Sequence, residues 1–122
     1  MGKKVLTVDD SATIRQALNI VLIDAGYEVM EAVDGLDAMH KLEGEQIDMV
    51  VTDMNMPNMN GVELIRALRK RPGNRFTPII MLTTESQNEK KQAGKAAGAS
   101  GWIVKPFRPE QVLSVVRMVC PA

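Results

Sequence analysis

The sequence predicts an α/β fold, a doubly wound three-layer sandwich of five βα units around a parallel sheet. Three observations point to it. Strand-like and helix-like patterns alternate five times with no linker, repeat or low-complexity stretch between them. The 122 residues suit one domain with one sheet. Polar, reactive residues recur at the ends of the apolar runs: Asp9-Asp10, Asp53, Thr83 and Lys105.

Val5-Leu6-Thr7-Val8 reads as a first strand. Ser11 is placed to cap a helix whose apolar face is Ile14, Leu18, Val21, Leu22 and Ala25, with Gly26 as its stop. Tyr27 to Ala32 is a second strand, and Asp34 caps a short helix carrying Ala38, Met39 and Leu42. Ile47 to Asp53 is the third strand. Val62, Ile65 and Leu68 mark a helix that ends before Pro72-Gly73, and Pro78 to Thr83 is the fourth strand. Ser86-Gln87-Asn88-Glu89 fits a capping box, so a fourth helix is expected to start there. It is a weak helix: its apolar positions are mostly alanine, and Gly94 costs about 1 kcal/mol against alanine. Gly101 to Val104 is a fifth strand, and Pro109 opens a last helix with Val112, Val115, Val116 and Val119 on one face. Arg108, Gln111, Ser114 and Arg117 fall on its outer face.

Bulk composition narrows the function classes. Fifteen Lys and Arg balance fifteen Asp and Glu, which gives no electrostatic footprint for nucleic acid or an anionic membrane. The single Cys120 fits a reducing cytoplasm, and the N-terminus carries neither a signal-peptide pattern nor an apolar span. The nine methionines, Met54, Met56 and Met59 among them, are expected to be adaptable packing, and His40 a surface residue.

In open α/β sheets ligands bind at the carboxyl ends of the strands, where the strand order reverses. A 2-1-3-4-5 order puts that reversal between the first and third strands. It then brings Asp9, Asp10 and Asp53 together although they lie far apart in sequence. Three carboxylates in one cleft repel each other, and a hard divalent cation such as Mg2+ relieves the repulsion. Lys105 and Thr83 add an ammonium and a hydroxyl. Metal, ammonium and hydroxyl suit a phosphoryl group, and Asp53 is the natural carboxylate nucleophile.

The residues Val8-Asp9-Asp10-Ser11, Asp53 through Gly61, Thr83-Thr84-Glu85 and Lys105-Pro106-Phe107 identify a resemblance over the whole chain. It resembles the receiver domain of two-component response regulators, a flavodoxin-like fold. Within that family, Asp53 to Met59 and Gly101 to Phe107 are most similar to the single-domain chemotaxis regulators, and one receiver domain over 1–122 with no output domain is expected. The resemblance implies that Asp53 takes a phosphoryl group from a phosphohistidine, so the partner is a CheA-like sensor histidine kinase, with the flagellar switch protein downstream. It implies that Asp10 and Asp53 ligate Mg2+ with help from Asp9 and the Asn55 carbonyl. Lys105 pairs with the phosphoryl group, Thr83 moves to hydrogen-bond it beside Thr84, and Trp102 takes the aromatic position that turns inward when Thr83 moves. Asn55 and Glu85 occupy positions that tune dephosphorylation, and the bond before Pro106 is typically cis. A monomeric cytoplasmic switch is implied, not a turnover enzyme. An aspartyl phosphatase of the haloacid dehalogenase type is the enzymatic alternative, but it places a second Asp two residues after the first, where this chain has Asn55. Other non-chemotaxis phosphorelays, or a phosphate sink, use the same parts.

Overall fold

The computed structural model describes residues 2–84 and 86–122. Its elements are β1 (Lys4–Val8), α1 (Ala12–Asp24), β2 (Glu28–Ala32), α2 (Gly35–Lys41), β3 (Met49–Asp53), α3 (Gly61–Lys70), a 3-10 turn (Pro72–Asn74), β4 (Ile79–Thr83), α4 (Asn88–Ala97), β5 (Gly101–Val104) and α5 (Pro109–Val119). All four strand pairings are parallel and the order is β2-β1-β3-β4-β5.

Alternation along the strands builds two cores, one on each face of the sheet. Leu6, Val8, Val50, Ile79 and Met81 pack with Ala38, Leu64, Ile65 and Leu68 of α2 and α3. Val5, Met49, Val51, Ile80, Leu82 and Ile103 pack with Leu18 and Leu22 of α1 and Val112 and Val116 of α5. Met54 is buried, and Met56 and Met59 pack against the first core. The outer face of α5, with Gln111, Ser114 and Arg117, is exposed, as is His40.

The caps of α1 and α2 follow the sequence pattern, and α3 has a capping box of its own. Ser11 Oγ accepts from Ile14 N at 3.3 Å and Asp34 Oδ1 accepts from Asp37 N at 2.8 Å. Asn60 and Glu63 close a reciprocal box at the start of α3. At α5, Gln111 Oε1 accepts from Arg108 N at 3.0 Å, and Arg108 has no acceptor to return.

The start of α4 departs from expectation. The helix begins at Asn88, not Ser86, and Gln87 at its N-cap makes no side-chain cap bond. Ser86, the expected cap, and its neighbour Gln87 turn back to Thr84 instead. Gln87 Oε1 accepts from Thr84 N at 2.7 Å, and the Ser86 and Thr84 hydroxyls lie 3.0 Å apart. Gly94 also has a packing reason beyond propensity. A Cβ there would sit 2.1 Å from Met81 Sδ and 3.1 Å from Met54 Cε. β3 begins at Met49 and not at Ile47; just before it, Asp48 joins the start of β1 twice, its N–H donating to the Lys4 carbonyl at 2.8 Å and its Oδ2 accepting from Lys4 N at 2.7 Å. β2 likewise begins one residue late, at Glu28.

Candidate functional site

Five parallel strands point their carboxyl ends at one rim of the sheet, and the strand order reverses between β1 and β3. Asp9 follows the last residue of β1, Asp53 is the last of β3 and Thr83 the last of β4, while Lys105 follows β5. Asp9, Asp10 and Asp53 each place a carboxylate oxygen within 4.8 Å of the others. Asp9 and Asp53 are buried and Asp10 is exposed. Lys105 Nζ donates to Asp53 Oδ1 at 2.9 Å and lies 3.7 Å from Asp9 Oδ2.

The backbone around Asp9 is fixed from two sides. Asp9 Oδ1 accepts from Ser11 N at 2.9 Å, and the Asp9 carbonyl accepts from Arg15 Nη1 at 2.6 Å. Arg15 Nε in turn donates to Glu31 Oε1 at 2.9 Å. Burial raises the Asp9 carboxyl above its ordinary range, the Ser11 N–H opposes that, and the Asp53 charge adds to it. Asp9 Oδ2 is buried without a hydrogen-bond partner among the described residues. An oxygen so placed beside two more carboxylates fits a hard cation such as Mg2+, which takes one or two carboxylates and keeps several waters.

The loop after Asp53 is tied down. Asn58 takes a left-handed φ of 66° and its Nδ2 donates to Asp34 Oδ2 at 2.8 Å, while Gly35 N donates to the Met59 carbonyl at 3.1 Å. Asp34 therefore caps α2 with one oxygen and holds the loop after Asp53 with the other. Gly61 lets α3 approach closely, since a Cβ there would lie 2.5 Å from the Asp53 carbonyl oxygen.

Thr83 is buried, and its hydroxyl has no hydrogen-bond partner among the described residues. Asn55 and Thr84 line an open cleft of about 540 Å³ with Ser86, Gln87, Asn88, Glu89 and Lys90. The Lys105–Pro106 bond is cis. Trp102 stands away from the carboxylates, 37% exposed, against Lys91 and Lys95 of α4. Glu85 lies outside the described residues. Arg15, Asp34, Asn58 and Gln87 contribute to the site but were not singled out for it by sequence. Of these, Asp34 carried a local signal, as a cap candidate.

The arrangement can hold a divalent cation, present a carboxylate to an electrophile and place an ammonium beside it. Residues 5–117 match the family model for the response regulator receiver domain. Chemotaxis protein CheY1 of Helicobacter pylori is 38% identical over 118 residues, 95% of this chain and 95% of that protein. The alkaline phosphatase synthesis transcriptional regulatory protein PhoP of Bacillus subtilis is 36% identical over 98% of this chain, which spans only 49% of that protein's length. The structure of the chemotaxis response regulator CheY4 of Vibrio cholerae superposes with a TM-score of 0.92 at 50% identity, covering 98% of this chain and 99% of that one. The sheet order, the residues on its reversing edge and these likenesses together establish that the chain belongs to the response regulator receiver domain family.

Proposed function

We propose that this chain is a phosphorylation-driven response regulator whose acceptor is Asp53, charged by a CheA-like sensor histidine kinase. The observation that carries the reading is the meeting of the Lys105 ammonium, 2.9 Å from Asp53, with three carboxylates drawn from two strand ends. An Asp53 oxygen attacks phosphorus, the phosphorus–nitrogen bond of the phosphohistidine breaks, and the imidazole leaves with the bonding pair. Mg2+, when held by Asp10, Asp53 and the Asn55 carbonyl with Asp9 beside them, would offset the charge on the phosphoryl oxygens. Lys105 then shifts from the carboxylate to the phosphoryl group. The Thr83 hydroxyl, buried and without a partner, gains an acceptor by turning toward it.

Thr83 lies at the root of α4, so its movement reaches the surface formed by α4, β5 and α5, where Trp102 sits. Asn55, Thr84 and Glu85 tune how readily water or donor approaches. The likeness to CheY1 and CheY4 over nearly their whole lengths favours chemotaxis and a flagellar switch partner. We read the chain as a monomer in the cytoplasm and as a signalling domain without turnover of an external substrate. No described helix is long and apolar enough to cross a membrane.

The test is phosphoryl transfer from a radiolabelled histidine kinase or acetyl phosphate with Mg2+. Label should appear on the wild-type chain, vanish with Asp53→Asn and vanish with chelator. Undiminished labelling of Asp53→Asn would overturn the reading.

A further inference from the structure

Trp102 stands beside two ammonium groups. Lys91 Nζ lies 4.3 Å from its ring centroid and Lys95 Nζ 4.2 Å. The two lysines are four residues apart on α4, so one helix face delivers both, and like charges at that spacing repel. Among the described residues neither is in an ion pair. What both have instead is the electron-rich face of an indole, the best aromatic partner for a cation. The rest of α4 does little to anchor that face: its one buried residue is Gly94.

We infer that Lys91 and Lys95 are positioning residues that hold Trp102 outward and so set how much drive the switch needs. The inference rests on the reading of Asp53 as the acceptor and of Trp102 as the ring that turns inward. An inward ring must leave both cations, which are then returned to water and to each other's repulsion. Each stacked cation at a partly exposed site biases the outward state roughly twofold to fivefold, and the pair roughly fivefold to thirtyfold. A phosphoryl group must supply that bias on top of any cost of moving Thr83.

The sign separates this from a general charge effect. Deleting two cations near an anion site weakens anion binding by simple electrostatics. Releasing Trp102 strengthens it, because the inward, phosphoryl-compatible form becomes easier to reach.

The test uses the full chain with beryllofluoride and Mg2+ as the phosphoryl probe. Acrylamide quenching follows Trp102 in the free protein, and fluorine NMR gives the apparent affinity. The double variant Lys91→Ala/Lys95→Ala should lower quenching in the free protein toward the loaded wild-type value. It should raise beryllofluoride affinity roughly fivefold to thirtyfold. Lys91→Arg/Lys95→Arg should keep both near wild type, since arginine also stacks on indole. In a Trp102→Ala background the lysine substitutions should give no gain in affinity. Unchanged quenching in the free Ala double variant overturns the inference, as does an affinity gain that persists without Trp102. If the wild-type chain binds no beryllofluoride, the acceptor reading falls and the regulatory role falls with it. The quenching of the free variants then still reports, separately, whether the lysines hold the ring.

Discussion

Lys105 is the cation that makes a buried acidic cluster tolerable in the absence of metal. Its ammonium touches Asp53 and stands near Asp9, whose second oxygen has no hydrogen bond. Removing it leaves two buried carboxylates facing each other. Lys105→Met should therefore cost about 1–3 kcal/mol in urea denaturation with chelator, less than a fully buried pair because the lysine is partly exposed. Saturating Mg2+ should recover more stability in this variant than in wild type, and an equal Mg2+ effect in both would count against the arrangement. Residues of this kind were legible in the sequence because a charged or hydroxyl side chain closing an apolar run has no core reason to be there. Arg15 was not legible. It reads as an ordinary helix-surface arginine, and only the fold shows it reaching the Asp9 carbonyl. The Lys91–Trp102–Lys95 stack was hidden for the same reason: it joins two elements, and no local pattern encodes it.

At the scale of elements, α4 shows where pattern and fold part. A capping-box pattern at Ser86 is a statement about backbone donors of the next turn. Thr84 takes the Ser86 hydroxyl that would have capped that turn, Gln87 also turns to Thr84, and the helix starts at Asn88. Gly94 makes the complementary point. Propensity alone says that Gly94→Ala stabilises α4 by about 1 kcal/mol. Packing says otherwise, because the new methyl overlaps Met81, which is fully buried. Gly94→Ala should be net destabilising by about 1–2 kcal/mol in chemical denaturation, and a gain in stability would show that Met81 can yield. Gly61 is stricter still, since its neighbour is the Asp53 carbonyl, which is backbone. Gly61→Ala should displace the end of β3 and slow phosphoryl transfer by roughly tenfold or more, a loss of the size expected when reacting groups are misplaced. Normal transfer rates in that variant would mean that α3 can back away freely.

Across the whole molecule, the chain closes on itself through Tyr27. Its buried hydroxyl donates to the Cys120 carbonyl at 2.6 Å, joining the entry to β2 with the end of α5. Burial raises this phenol above its ordinary value of 10.0. A group whose folded value is raised contributes stability that is intact below the unfolded value and lost as pH climbs through the folded one. Wild type should therefore lose stability above about pH 10, and part of that loss should vanish in Tyr27→Phe. At neutral pH Tyr27→Phe should cost about 1 kcal/mol for the missing hydrogen bond, measured by urea titration. The sheet order and the five units were readable because they follow from alternation, which is local. The Tyr27 closure joins distant parts of the chain, and sequence gives no sign of it.

The parity of the strands has a further consequence. Asp53 continues the series Met49 and Val51, whose side chains meet α1 and α5. Thr83 continues Ile79 and Met81, which lie on the face covered by α3. Trp102 pairs with Met81 and so shares that second face, where it meets the α4 lysines. On the proposed function, the mark would be written on one side of a single β-layer and read on the other. Substitutions beneath α1 and α5 should then retune how fast the mark is made and erased, while those beneath α4 retune how loudly it is heard, and the two properties can drift apart without either spoiling the other.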